Sequence, residues 1–177
     1  MGLTWDCVDF DRGILTIKQQ LIKLPKAQGG FRLDTPKNGK TRVIKPAPLV
    51  MQLLEERQNE QEADRVKAGD FWKGYQTERE KKKSLVFTSR VGDHLHPQTV
   101  YNHLKKVLLS IGITDSCVHD LRHTYAILGL QGHDDIKTVS GNLGHSTSSF
   151  TMDRYGHVTD SMRDDSSRRW QEIIDSF

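Results

Sequence analysis

The residues best equipped for chemistry lie between His119 and Tyr155. They read His119-Asp-Leu-Arg122-His123, then Leu143-Gly-His145-Ser, then Met152-Asp-Arg-Tyr155-Gly-His157. Together they supply a guanidinium, several imidazoles and a phenol. His119 and Arg122 are three apart, so a helix would put them on one face. That face can offer one oxyanion a fork of hydrogen bonds and a proton-transfer group. Arginine suits phosphate best, because its planar fork binds two oxygens at once. Tyrosine is an uncommon nucleophile for covalent catalysis and needs neighbours that help it lose its proton.

Each residue also has a plainer reading. Arg122 can be a helix arginine in an ion pair, and Tyr155 a half-buried packing residue. His145, after Gly144, can be a helix C-cap imidazole facing the dipole. His119 and His123 at i, i+4 match a zinc pair on a helix. However, the glutamate expected after the first histidine is Asp120, and no further ligand is evident, so zinc hydrolysis is not the reading. His94 and His96 likewise lack a third ligand.

These residues need elements to hold them. The spacing predicts a helix over 119–130, with Leu121, Tyr125, Ala126 and Leu128 available to the core. Asp134 or Asp135 can cap a short helix over 136–143, which Gly144 ends, presenting His145. Residues 148–155 are expected to form one or two helical turns carrying Tyr155. A final amphipathic helix over 161–177 carries Met162, Trp170, Ile173, Ile174 and Phe177. Upstream, Pro97 to Ser110 reads as a helix with Tyr101, Leu104, Val107 and Leu108 in phase and Gly112 as its stop. Residues 47–67 read as another, with Pro48 in its first turn and Leu49, Leu53 and Leu54 as an apolar stripe. Residues 85–88 read as a short buried strand or extended segment, and the charge run Glu78 to Lys83 as a solvated loop. Ile14 to Ile17, Phe31 to Thr35 and Thr41 to Ile44 read as strands. Asn38-Gly39 between the last two is a strong hairpin signal, which predicts a small antiparallel sheet over 14–46 with Lys37 and Lys40 at its tip.

With 177 residues, the chain reads as one domain large enough for a proper core. Its 35% hydrophobic and 28% charged residues suit a globular protein, and no apolar run is long enough to span a bilayer. Cys7 and Cys117 have no metal-ligand spacing and suit a reducing, cytoplasmic setting. A net charge of +3 permits a nucleic-acid partner without requiring one.

His119-x-x-Arg122, His145 in Leu-Gly-His-Ser 23 residues later, and Tyr155 ten residues after that form an ordered set. The set resembles the signature of the tyrosine recombinases, or phage integrases. The Trp5-Asp-Cys-Val-Asp-Phe10 segment and the lysine-bearing turn that follows resemble the same family. The resemblance implies a mainly α fold with a small antiparallel sheet near the N-terminus. It implies site-specific DNA recombination through a 3′-phosphotyrosyl intermediate, with Tyr155 as nucleophile and no cofactor or metal. Arg122, His119 and His145 would stabilise the phosphate, and Lys37, or Lys40 in its place, would protonate the leaving 5′-oxygen. The implied partners are double-stranded DNA, a homotetramer assembled on it by exchange of terminal segments, and accessory DNA-bending or directionality proteins. The implied location is the cytoplasm, at the nucleoid. The stretch between 55 and 84 favours the integrase of a mobile element over a resolvase or chromosome-dimer recombinase.

The family also uses an earlier arginine, just upstream of the Trp5-Asp6 segment, which has no counterpart here. The expectation is therefore a catalytic domain spanning 1–177, truncated at its N-terminal edge and without a DNA-clamping domain. On that expectation, an inactive DNA-binding fragment or remnant of a recombinase is the alternative.

Overall fold

A computed structural model describes residues 1–25, 27, 30–37, 39–144 and 158–176, with side chains described from 164 onward in the last stretch. Their contacts gather into two compact units, Met1–Val100 and Tyr101–Phe177.

The first unit opens with two small antiparallel sheets. Val8–Asp9 (β1), Ile14–Ile17 (β2) and Arg42–Ile44 (β5) form one, in the order β1-β2-β5. Gln20–Lys23 (β3) and Phe31–Asp34 (β4) form the other. The strands on either side of Asn38-Gly39, β4 and β5, thus do not pair as the expected hairpin. β4 folds back on β3, pairing Lys23 with Phe31, while β5 pairs with β2, aligning Leu15 with Ile44. The reason is length: an Asn-Gly hairpin needs strands that abut a two-residue loop, and here Thr35 to Thr41 separates them. Asn38 itself lies outside the described residues. Gly39 still closes a local turn, with its N–H donating to Pro36 O at 2.8 Å and its φ at +65°.

Pro48–Ala68 forms α1, with proline in the first turn where its missing N–H costs nothing. Its buried residues are Met51, Leu54 and Gln61, all on one face. Of the expected stripe only Leu54 is inside; Leu49 is 63% and Leu53 53% exposed. The core of the unit joins Met51 and Leu54 to Trp5 and Val86, with Leu3, Val8, Phe10 and Leu15 packed around them. Gln61 ties this core together. Its Oε1 accepts from Trp5 Nε1 at 2.8 Å, and its Nε2 donates to Leu85 O at 3.0 Å and Thr88 Oγ1 at 2.9 Å. Every polar atom of this buried side chain is thus satisfied, as burial demands. The 85–88 segment, expected as a strand or extended segment, is held by isolated bridges from Leu85 to Thr4 and from Thr88 to His94 around bends at Val86 and Phe87, with Val86 fully buried.

Glu78–Lys83 is a helix, α2, and not the expected loop. Thr77 and Glu80 form a capping box, which outweighs the run of like charges that follows. Between α1 and α2, the buried Tyr75 hydroxyl donates to Glu62 Oε2 at 2.7 Å, and Lys81 Nζ lies 3.2 Å from the same oxygen. The Tyr75 hydroxyl, then Arg65, hold the Glu62 carboxyl down at about 2. Burial, then Glu62, push the Tyr75 phenol well above its ordinary range. Trp72 packs edge-on to Tyr75 and against Gly92, where an added Cβ would lie 2.8 Å from the indole.

Pro97–Ser110 forms α3, with the expected bounds, and Gly112 follows it at φ +79°. Val118–Gln131 (α4) and Ile136–Leu143 (α5) pack through Ala126, Leu130, Val139 and Leu143. Leu121, Tyr125 and Leu128, expected inside, are 53%, 42% and 60% exposed. The buried face of α4 is Ala126 and Leu130, four residues apart. Val158–Asp175 forms α6. Trp170 and Ile174 on it are 63% and 61% exposed, while Phe177 and the side chain of Met162 lie outside the described residues. The fold is thus mainly α with a small antiparallel sheet near the N-terminus, as the resemblance implies. Among the described residues no helix is long and apolar enough to cross a membrane.

Candidate active site

The first two turns of α4 carry His119 and Arg122. Cys117, in extended conformation, starts the helix, and its N–H donates to Asp120 Oδ2 at 2.7 Å. That bond, then the Cys117 thiol, hold the Asp120 carboxyl below the usual carboxylate range. The carboxylate is therefore committed to the helix start, where the dipole also favours it. His119 is exposed beside it. The His119 and His123 rings meet at a tilt of 71°, centroids 5.2 Å apart.

Arg122 is half-buried on the same face as His119. Among the described residues, no acid lies within ion-pair distance of its guanidinium, so the plain reading as an ion-paired helix arginine gains no support. A partly desolvated guanidinium with no anion among the described residues is suited to binding one. Likewise, among the described residues no three His, Cys, Asp or Glu side chains converge as a metal site would require.

The helix before the candidate His145 is α5. Asp135 caps it, its carboxylate accepting from the N–H groups of Lys137 and Thr138 at 2.9 and 3.0 Å. Gly144 ends it at φ +67°, its N–H donating to Gly141 O at 3.0 Å. Glycine takes this left-handed conformation at no steric cost. The helix thus stops one residue before His145, as the sequence predicts. His145, the 148–155 turns and Tyr155 lie outside the described residues. Lys37 is exposed in the Pro36–Gly39 turn after β4, in the first unit. The described structure thus brings together His119 and Arg122 among the expected set.

Two further residues belong to this neighbourhood. The Tyr125 hydroxyl accepts from Asn142 Nδ2 at 2.7 Å, joining α4 to the last turn of α5. Helical phase with Arg122 marks Tyr125 in the sequence, and a polar Asn142 before Leu143-Gly144 is the matching signal. Reading Tyr125 as a core residue hides both.

Residues 1–162 match the phage integrase family model. A tyrosine recombinase XerC-like protein of Caldanaerobacter subterraneus subsp. tengcongensis is 29% identical over 166 residues, 89% of this chain and 41% of the relative. A putative prophage phiRv2 integrase of Mycobacterium tuberculosis is 27% identical over 155 residues, 85% of this chain and 36% of the relative. The chain therefore spans about two fifths of the length of these curated relatives. Among solved structures, the Tn1549 transposon integrase in complex with transposon right end DNA is similar with a TM-score of 0.71 at 19% identity, covering 94% of this chain and 52% of that one. The XerA recombinase gives 0.61 at 20% identity, covering 95% and 50%. At such identities the likeness is one of fold.

Proposed function

The chain belongs to the phage integrase family, and from that premise we propose that it is the catalytic domain of a tyrosine recombinase that integrates or excises a mobile DNA element. Tyr155 attacks a DNA phosphodiester, its oxygen forming a 3′-phosphotyrosyl ester while the 5′-oxygen departs. Lys37 gives that oxygen its proton, and His119 takes the proton from Tyr155. Arg122 binds the non-bridging oxygens, and His119 and His145 donate hydrogen bonds to them as charge develops. Rejoining runs the step backwards with a different 5′-hydroxyl. No cofactor is called for, because the ester keeps the energy of the broken bond.

The observation that carries the reading is the pairing of His119 with a half-buried Arg122 on one helical face, with no acid among the described residues to claim the guanidinium. The α5 cap at Gly144, immediately before His145, supports it. The substrate is double-stranded DNA, bound by a homotetramer in the cytoplasm at the nucleoid, with accessory DNA-bending or directionality proteins as further partners.

The test is covalent capture on a duplex nicked beside the scissile phosphate, so that the departing fragment is lost. The protein should become attached, and Tyr155→Phe should abolish attachment. Duplex binding should change little, since it rests on many phosphate contacts. Duplex binding without any adduct would leave an inactive DNA-binding module instead.

A further inference from the structure

Packing of α4 on α5 through Ala126, Leu130, Val139 and Leu143 is apolar. Such a seam buries area without direction, so it sets contact more firmly than register. A hydrogen bond is directional, and one joins these helices at the end nearest the candidate site: Asn142 Nδ2 to Tyr125 Oη at 2.7 Å. Tyr125 lies one turn beyond Arg122 on α4. Asn142 lies in the last turn of α5, three residues before His145. The helix end between them is closed by the Gly144 N–H bond to Gly141 O, so a constraint on Asn142 is also one on the point where the chain leaves α5.

We propose that Tyr125 is a positioning residue, which through Asn142 sets the register between the helix bearing His119 and Arg122 and the turn that leads into His145. The inference rests on the recombinase reading, in which those three residues act on one phosphate. Neither Tyr125 nor Asn142 touches the reacting atoms. Their effect is on how well the donors line up, and misplacement of about 1 Å can cost far more in rate than in binding.

The experiment compares the unsubstituted protein with Tyr125→Phe, Asn142→Leu and the double variant. It reads single-turnover adduct formation at saturating nicked duplex, duplex affinity, and amide exchange over 140–144 without DNA. Each single variant should slow adduct formation about tenfold and keep duplex affinity within about twofold. The double variant should be no slower than the slower single, as expected for two halves of one interaction. The Leu143 and Gly144 amides should exchange faster in all three. If the unsubstituted protein forms adduct and the variants match it, the inference falls and the recombinase reading stands. If no protein forms adduct, the recombinase reading falls; unchanged exchange would then overturn the register role as well, and faster exchange would uphold it. Multiplying effects in the double variant, or complete loss of adduct in Tyr125→Phe alone, would also overturn it.

Discussion

Gln61 and Arg122 are both polar side chains on helices, and the protein treats them in opposite ways. Gln61 is 1% exposed, and each of its polar atoms has a partner in Trp5, Leu85 or Thr88. Arg122 is half-buried, and its guanidinium meets no acid among the described residues. The first arrangement minimises the free energy of the folded chain on its own terms. The second leaves a guanidinium that no acid among the described residues claims, which suits a group whose partner arrives with a substrate. Substitutions at the two sites should therefore separate stability from activity.

The largest effect is expected at Arg122. Arg122→Ala should lower the rate of adduct formation about 100- to 1,000-fold, the usual loss for one preorganised donor to an oxyanion. Its unfolding free energy should stay within about 0.5 kcal/mol, since no described partner is lost. Arg122→Lys should recover only part of the rate, because an ammonium cannot span two oxygens. Equal losses of stability and rate would erase the contrast with Gln61.

Gln61→Leu should do the reverse. It leaves the Trp5 indole N–H and Leu85 O without their partner, while Thr88 Oγ1 keeps Arg57 Nη2 at 3.2 Å, a loss of roughly 2–4 kcal/mol in urea unfolding. Adduct formation well below the melting temperature should be reduced much less than in Arg122→Ala. A fully stable Gln61→Leu variant would show that the network around Trp5 is incidental.

The smallest effect is expected at Glu62, which lies between the two cases. It is partly exposed yet bonded to Tyr75, Arg65 and Lys81. Its folded carboxyl stays charged down to about 2, below the ~4.3 of an unfolded glutamate. The stabilisation is therefore complete above ~4.3 and fades as pH falls towards about 2. Glu62→Gln should lose about 1 kcal/mol at neutral pH, discounted for exposure, and the gap should close in acid. A gap that persists at pH 2 would mean that charge is not what binds Tyr75.

The same contrast explains what was legible in the sequence. Helix bounds at Pro97, Ser110 and Gly144 follow from local chemistry, and the structure has them. The ordered set His119, Arg122, His145 and Tyr155 is read from residue type and interval, and of it the described residues include His119 and Arg122 on one helix. Sheet pairing depends on distant partners: nothing near Asn38-Gly39 reveals that β4 belongs to β3 and β5 to β2. Thr77 and Glu80 carried a local helix signal that a count of charges in Glu78 to Lys83 obscures. The apolar residues of α1 and α4 outnumber the places on their buried faces, so periodicity alone does not choose Met51 over Leu49, or Leu130 over Leu128. The Tyr125–Asn142 bond joins two elements: helical phase marks each residue, but nothing local says that they meet.

In the proposed reaction a tyrosine of this chain becomes joined to DNA, and that tyrosine is Tyr155. The most direct measurement is trypsin digestion of the captured adduct, nuclease trimming of the DNA, and mass spectrometry of the modified peptide. The expected product is a nucleotide attached through a 3′-phosphate to Tyr155 in the peptide 155–163. Attachment at Tyr125, in the peptide 123–137, or at any residue other than Tyr155 would contradict it.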